Sequence, residues 1–227
     1  VSATGSCAMG EAVQREIAQT VGRSALLELG GNNAVIVAPS APMPLTLQAL
    51  LFGATGTAGQ RCTTTRRAFI QAALFDTLWP RLDAAYRNVD ERLIGDPRDA
   101  DTLIGPLIDR AAFDAMQQAL DQARAEGGVV TGGERVQAQR HPDSFYVRPA
   151  VVRMPAQRAI MMREVFAPIL YVMPYDTLDE AIALNNAVPQ GLSAAIFTRD
   201  LTEAEQVLRD ADCGIVNVNN GTSGAEI

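Results

Sequence analysis

Short apolar runs alternate with segments of helical period along almost the whole chain, and no other feature narrows the possible folds as much. Residues 25–29, 34–38, 68–71, 129–131, 146–152, 169–173, 194–198 and 215–218 read as strands. Residues 11–21, 45–52, 74–89, 111–126, 178–185 and 202–210 read as helices. Leu74, Leu78, Leu82, Ala85 and Val89 share one face of the third, and Gly127-Gly128 stops the fourth. Strands separated by helices cannot be joined by hairpins. They need crossovers, so the expected fold is α/β, a largely parallel sheet with helices on both faces. In such sheets chemistry is expected beyond the C-terminal ends of strands, on glycine-rich loops. The densest of these loops are 5–10, 53–59 and 221–224.

Composition excludes several classes of partner. The 227 residues are 48% hydrophobic, enough for one domain with a full core. The net charge of −7 argues against nucleic acid and against an anionic membrane. No run of 18 apolar residues suggests a membrane span. Cys7, Cys62 and Cys213 are odd in number, far apart and without metal-ligand spacing, so no metal site is expected. They suit a reducing compartment, and a cytoplasmic location is the expectation. The chain begins at Val1 without a charged leader or a Met. It reads as cut from something longer at both ends.

Among the nucleophiles, Cys62 stands out by its surroundings. It lies in Gly59-Gln60-Arg61-Cys62-Thr63-Thr64, polar on both sides, where a core cysteine rarely sits. Cys7 and Cys213 read more simply as small buried hydrophobes. The single histidine, His141, lies in an exposed-looking loop and is expected to be a plain surface residue. Cys62 would then need help from backbone amides or from Arg61, Arg66 or Arg67 to act as thiolate. Glu28 interrupts the apolar run 25–29 at the end of a strand. A carboxylate there is costly unless it faces a cleft. The residues alone leave open whether it is a base or merely a glutamate on an open strand edge.

Taken together, Leu27-Glu28-Leu29-Gly30-Gly31-Asn32-Asn33 and Gly59-Gln60-Arg61-Cys62, with Glu28 and Cys62 34 positions apart, resemble the paired signatures of the aldehyde dehydrogenase superfamily. Thr4-Gly5-Ser6 with Gly10 resembles its cofactor-phosphate loop. Glu164-Val165-Phe166-Ala167-Pro168 resembles its glutamate-x-phenylalanine-x-proline motif. Asn32-Asn33, Arg61 before the cysteine, Ala167 and the ending Thr222-Ser223-Gly224-Ala225-Glu226-Ile227 are similar to the α-aminoadipic semialdehyde dehydrogenase branch, the antiquitin-like family 7. Cys7 departs from the threonine usual in the phosphate loop.

The resemblance implies a catalytic domain over residues 24–213. Residues 1–23 would end the cofactor domain, and 214–227 would begin a C-terminal segment. It implies Cys62 as nucleophile, with its own N–H as an oxyanion donor, and Glu28 as the base that activates water. Gly5 and Ser6 would lie against the cofactor pyrophosphate, Glu164 on the nicotinamide ribose, and Phe166 near the ring. Arg61, Ser223, Gly224 and Ala225 would meet the amino-acid end of a semialdehyde, although Arg61 also reads as a surface cation. The implied cofactor is NAD, with NADP left open. The implied assembly is a homo-oligomer, dimer or tetramer, acting in lysine breakdown. The family's oxyanion-hole asparagine would lie upstream. Two other readings stand beside this one. One is a truncated catalytic domain without turnover of its own. The other is a Cys-Glu hydrolase of another fold, for which the chain offers no lysine.

Overall fold

The computed structural model describes residues 1–223. It contains two sheets. A two-stranded ribbon pairs β1 (Ser2–Thr4) with β2 (Leu26–Glu28), joined through α1 (Cys7–Ala18). The main sheet begins at β3 (Asn33–Val37) and continues through α2 (Met43–Thr55), β4 (Thr65–Gln71), α3 (Ala72–Arg87), α4 (Arg110–Ala125), β5 (Val129–Thr131), β6 (Ala150–Arg153), β7 (Ile169–Tyr175), α5 (Leu178–Asn186), β8 (Ser193–Phe197), α6 (Leu201–Asp210) and β9 (Ile215–Val218). Its strand order is β5-β6-β7-β4-β3-β8-β9, parallel except for the antiparallel edge strand β5. The α/β class with helices on both faces is therefore as the sequence predicts.

Side-chain alternation divides the core into two layers. Ala34 and Ile36 of β3, Phe69 of β4 and Tyr171 of β7 pack with Met116 and Leu120 of α4, Ile182 of α5 and Val207 of α6. Val35 and Val37, Ala68 and Ile70, and Leu170 and Val172 face the other way. They meet Leu50 of α2 and Leu78 and Leu82 of α3. Period-2 strands buried on both faces read as unbroken apolar runs. That is why these strands were conspicuous in the sequence. Each fully buried Leu or Ile contributes about 1.5–3 kcal/mol. Among the described residues no helix is long and apolar enough to cross a membrane.

The departures from expectation have local causes. β1 has no apolar alternation and forms only through its pairing with β2. α1 starts at Cys7 rather than residue 11 because Ser6 caps it, Oγ accepting from the Met9 N–H at 3.2 Å. β4 starts three residues early, taking in Arg66 and Arg67. β6 starts at 150 rather than 146. Pro149 cannot donate to a ladder, and Val147 instead forms an isolated bridge with Arg135.

The placement of chemistry differs more deeply. On the ribbon, Gly5-Ser6 and Glu28 do leave the C-terminal ends of their strands. On the main sheet, Cys62, Glu164 and Phe166 lie on loops that lead into β4 and β7, at the N-terminal ends. The site sits where these two opposite kinds of strand end meet.

Candidate active site

Cys62 owes its exposure to an unusual turn. Thr57, Ala58 and Gly59 all take left-handed backbone angles (φ 54°, 52° and 66°) between α2 and β4. The turn throws residues 60–62 outward, and the Cys62 side chain is exposed. Beneath it the loop is held by its backbone. Asn33 Nδ2 donates to the carbonyls of Cys62 at 2.7 Å and Thr64 at 2.8 Å, and Asn33 Oδ1 accepts from the Ser193 N–H. The Arg61 N–H donates to Thr64 Oγ1 at 3.1 Å. The Cys62 N–H has no acceptor among the described residues, as an oxyanion donor requires. A Cβ at Gly59 would stand 2.5 Å from the Ala167 carbonyl carbon, and the left-handed φ adds strain. Gly59→Ala is expected to cost roughly 2–4 kcal/mol. A urea midpoint unchanged from wild type would contradict this packing.

The ribbon supplies a second part of the wall. Parallel pairing sets Thr4 level with Glu28, so the phosphate-type loop and the candidate base leave the ribbon side by side. The Gly5 N–H is committed to the Glu28 carbonyl at 3.0 Å. Gly5 therefore offers shape rather than a donor, and the free N–H groups at the start of α1 belong to residues after it. The Glu28 carboxylate is half-buried and has no hydrogen-bond partner among the described residues.

The third element is the loop before β7. Glu164 Oε1 accepts from the Gly31 N–H and from Arg66 Nη2, both at 3.2 Å. Its Oε2 is left without a donor among the described residues. A Cβ at Gly30 would come within 1.8 Å of that Oε2, so a side chain there would displace the Glu164 carboxylate. Gly31 must be a glycine, since its Cβ would meet the Cys62 carbonyl at 2.3 Å. Phe166 is exposed beside the carboxylate.

One cleft of about 790 Å3 gathers Gly5, Ser6, Glu28, Arg61, Cys62, Glu164 and Phe166 on its walls. Seven of the ten residues singled out from sequence thus meet in one place. Ser223 does not line this cleft. Its Oγ is buried near Gly53 of α2, with no hydrogen-bond partner among the described residues. Gly224 and Ala225 lie outside the described residues. His141 is exposed and lines a separate groove, so no histidine reaches Cys62 there. Cys7 and Cys213 are half-buried rather than fully enclosed. Burial pushes the Cys213 thiol pKa up, and a long contact from Asn185 opposes this.

The aldehyde dehydrogenase family matches the chain over residues 1–227, its whole length. This chain belongs to the aldehyde dehydrogenase family. Its relatives include aldehyde dehydrogenase family 7 member A1 of Pisum sativum, 43% identical over 100% of this chain and 44% of that protein. The α-aminoadipic semialdehyde dehydrogenase of Rattus norvegicus is 44% identical, over 100% of this chain and 41% of its own. Among solved structures, betaine aldehyde dehydrogenase of Staphylococcus aureus in complex with NAD+ superposes with a TM-score of 0.91 at 30% identity, covering 97% of this chain and 44% of that one. The chain spans under half the length of these relatives.

Within this aldehyde dehydrogenase chain, sequence reasoning named Arg66 and Arg67 only as sources of positive charge and missed that they and the threonines before them hold the loops. Thr63, Thr64, Thr65, Arg66 and Arg67 are buried, not surface groups. Thr65 and Thr222 share a 2.7 Å hydroxyl contact, and Thr222 also donates to the Thr63 carbonyl. Arg67 donates to the carbonyls of Asn32, Leu184 and Asn185, and burial draws its pKa down to about 10. Gln60 pins a neighbouring loop, donating to the Pro106 carbonyl and accepting from the Ile108 N–H. The available signal was two adjacent arginines at the head of an apolar strand, a placement tolerated only with many partners.

Proposed function

We propose that the complete protein containing this chain oxidises an aldehyde to its carboxylic acid with NAD. The observation that carries this reading is the shared cleft. It lines one space with an exposed thiol, a carboxylate that has no partner among the described residues, a helix N-terminus and the Glu164-Phe166 loop. The residues present suit a dinucleotide. The start of α1 offers N–H groups to an anion. Glu164 keeps one oxygen fixed by Arg66 and Gly31 and leaves the other to accept from a ribose hydroxyl. Bound NAD supplies the acceptor for the hydride.

This chain's residues supply the rest. The Cys62 thiolate adds to the aldehyde carbon, and the Cys62 N–H donates to the oxyanion of the thiohemiacetal. Loss of hydride from that carbon leaves a thioester on Sγ. Glu28 takes a proton from water as the water oxygen attacks the thioester carbon. The carbon–sulfur bond breaks, and acid and thiolate are released.

A semialdehyde with an amino-acid end, such as α-aminoadipic semialdehyde, is the substrate class that Arg61 favours. Arg61 Nε donates to Thr57 Oγ1 at 2.7 Å, and the guanidinium lies 5.8 Å from the Phe52 ring centre. That fixes the plane and leaves the Nη groups without acceptors among the described residues. Such a fork matches a carboxylate. A panel of aldehydes on the complete enzyme, with NAD and NADP, tests the proposal. Arg61→Ala is expected to raise KM for α-aminoadipic semialdehyde about ten- to hundredfold, the loss of one charge-assisted contact. KM for a simple aliphatic aldehyde should stay within about twofold. Equal effects on both would remove Arg61 from recognition. Ester hydrolysis without any NAD reduction would overturn the dehydrogenase reading.

A further inference from the structure

Arg66 is buried beside the cleft, with its side chain 3% exposed. Its bonds go to three separate loops. Nε donates to the Gly31 carbonyl at 3.3 Å, on the link between β2 and β3. Nη1 donates to the Gly59 carbonyl at 3.3 Å and Nη2 to the Arg61 carbonyl at 3.2 Å, both on the nucleophile loop. Nη1 also reaches the carbonyls of Val165 at 2.6 Å and Ala167 at 3.4 Å, and Nη2 reaches the Glu164 carboxylate at 3.2 Å. The guanidinium carbon lies 5.3 Å from the Phe166 ring centre. Burial lowers the Arg66 pKa, and the Glu164 charge partly offsets this.

A guanidinium is a rigid plane whose donors point in fixed directions. Loops bonded to it cannot shift relative to one another without breaking contacts. Glu164 and the carbonyl of Arg61, the residue before Cys62, bond to the same Nη2. We infer that Arg66 is a positioning residue that sets the Glu164 carboxylate and the Cys62 loop in mutual register, so that cofactor holding and nucleophile placement are fixed together. This rests on the reading of Glu164 as the ribose-holding carboxylate. The competing account is that Arg66 only stabilises the fold.

The test uses the complete enzyme and four variants: Arg66→Lys, Arg66→Met, Glu164→Gln and the Arg66→Met/Glu164→Gln pair. NAD dissociation constants come from calorimetry, kcat and KM for the aldehyde from steady-state rates, and Tm from thermal unfolding. Arg66→Met and Glu164→Gln should each weaken NAD binding by about tenfold or more, the scale of one charge-assisted hydrogen bond. The pair should be no weaker than the worse single variant, since one residue acts through the other. Arg66→Lys keeps the charge beside Glu164 but not the fork. It should hold NAD within about threefold of wild type while kcat falls about tenfold, with KM for the aldehyde little changed.

A lower Tm with NAD affinity and kcat unchanged in both Arg66 variants would leave only the structural account. Additive losses in the pair would also overturn the inference. If Arg66→Met does not fold, Arg66→Lys decides: unchanged kcat overturns the inference, and the split between kcat and NAD affinity supports it. If Glu164→Gln leaves NAD affinity intact, the ribose reading fails and the inference falls with it. If Glu164→Gln weakens NAD and Arg66→Met does not, the inference alone falls.

Discussion

Cys62→Ala is expected to lower NAD-dependent aldehyde oxidation by the complete enzyme by about four orders of magnitude or more, the scale of losing a covalent nucleophile. The structure says why this variant should otherwise stay intact. The loop is fixed through the Cys62 carbonyl, which accepts from Asn33, and through the tight approach of Gly31 below it. The side chain itself is exposed. Tm and the NAD dissociation constant should therefore match wild type while absorbance of the reduced cofactor fails to rise. Steady turnover retained by Cys62→Ala would end the thiohemiacetal mechanism. A large fall in Tm would show that the side chain contributes packing.

Glu28→Gln should separate the two halves of the reaction. Thioester formation needs the thiol and the cofactor, and its hydrolysis needs a base. The variant is expected to release reduced cofactor in one rapid burst of about one equivalent per site, followed by steady turnover about 10²–10⁴-fold slower than wild type. Mass spectrometry of the quenched enzyme should find the acyl group on Cys62. Glu28 is suited to this variant because its carboxylate holds no loop in place, having no hydrogen-bond partner among the described residues. Unchanged kcat without a burst would assign water activation elsewhere.

Much of the fold was legible because most of its strands are buried on both faces. Residues 34–37 and 169–173 are apolar at every position, a pattern that survives without tertiary context. β1 was not legible, because Ser2–Thr4 gain their strand character only from β2. The start of β4 was hidden for a different reason. Arginine and threonine read as surface residues, yet at 63–67 they form a buried polar network whose partners are mostly backbone carbonyls far away in sequence. Such partners leave no mark in local composition.

The site divides in the same way. Cys62 and Glu28 stood out as polar residues in unusual company, and the structure brings them to one cleft. The direction of approach was not legible. The strand-end rule describes one sheet at a time, and this cleft is shared by two that meet with opposite ends. Ser223 illustrates the remaining difficulty. Its position in a matching motif could not show that its hydroxyl turns toward α2 and away from the cleft.

The ribbon that carries Glu28 shares no strand with the sheet that follows Cys62. Only four residues, 29–32, join β2 to β3. Fully extended, the five steps from Glu28 to Asn33 span at most about 18 Å. This short link acts as a leash. Gly31 and Asn32 within it are held by Glu164, Arg66 and Arg67, so the carboxylate cannot be carried out of range of the sulfur. Nucleophile and base thus belong to separate sheets, and their encounter distance is capped by covalent chain.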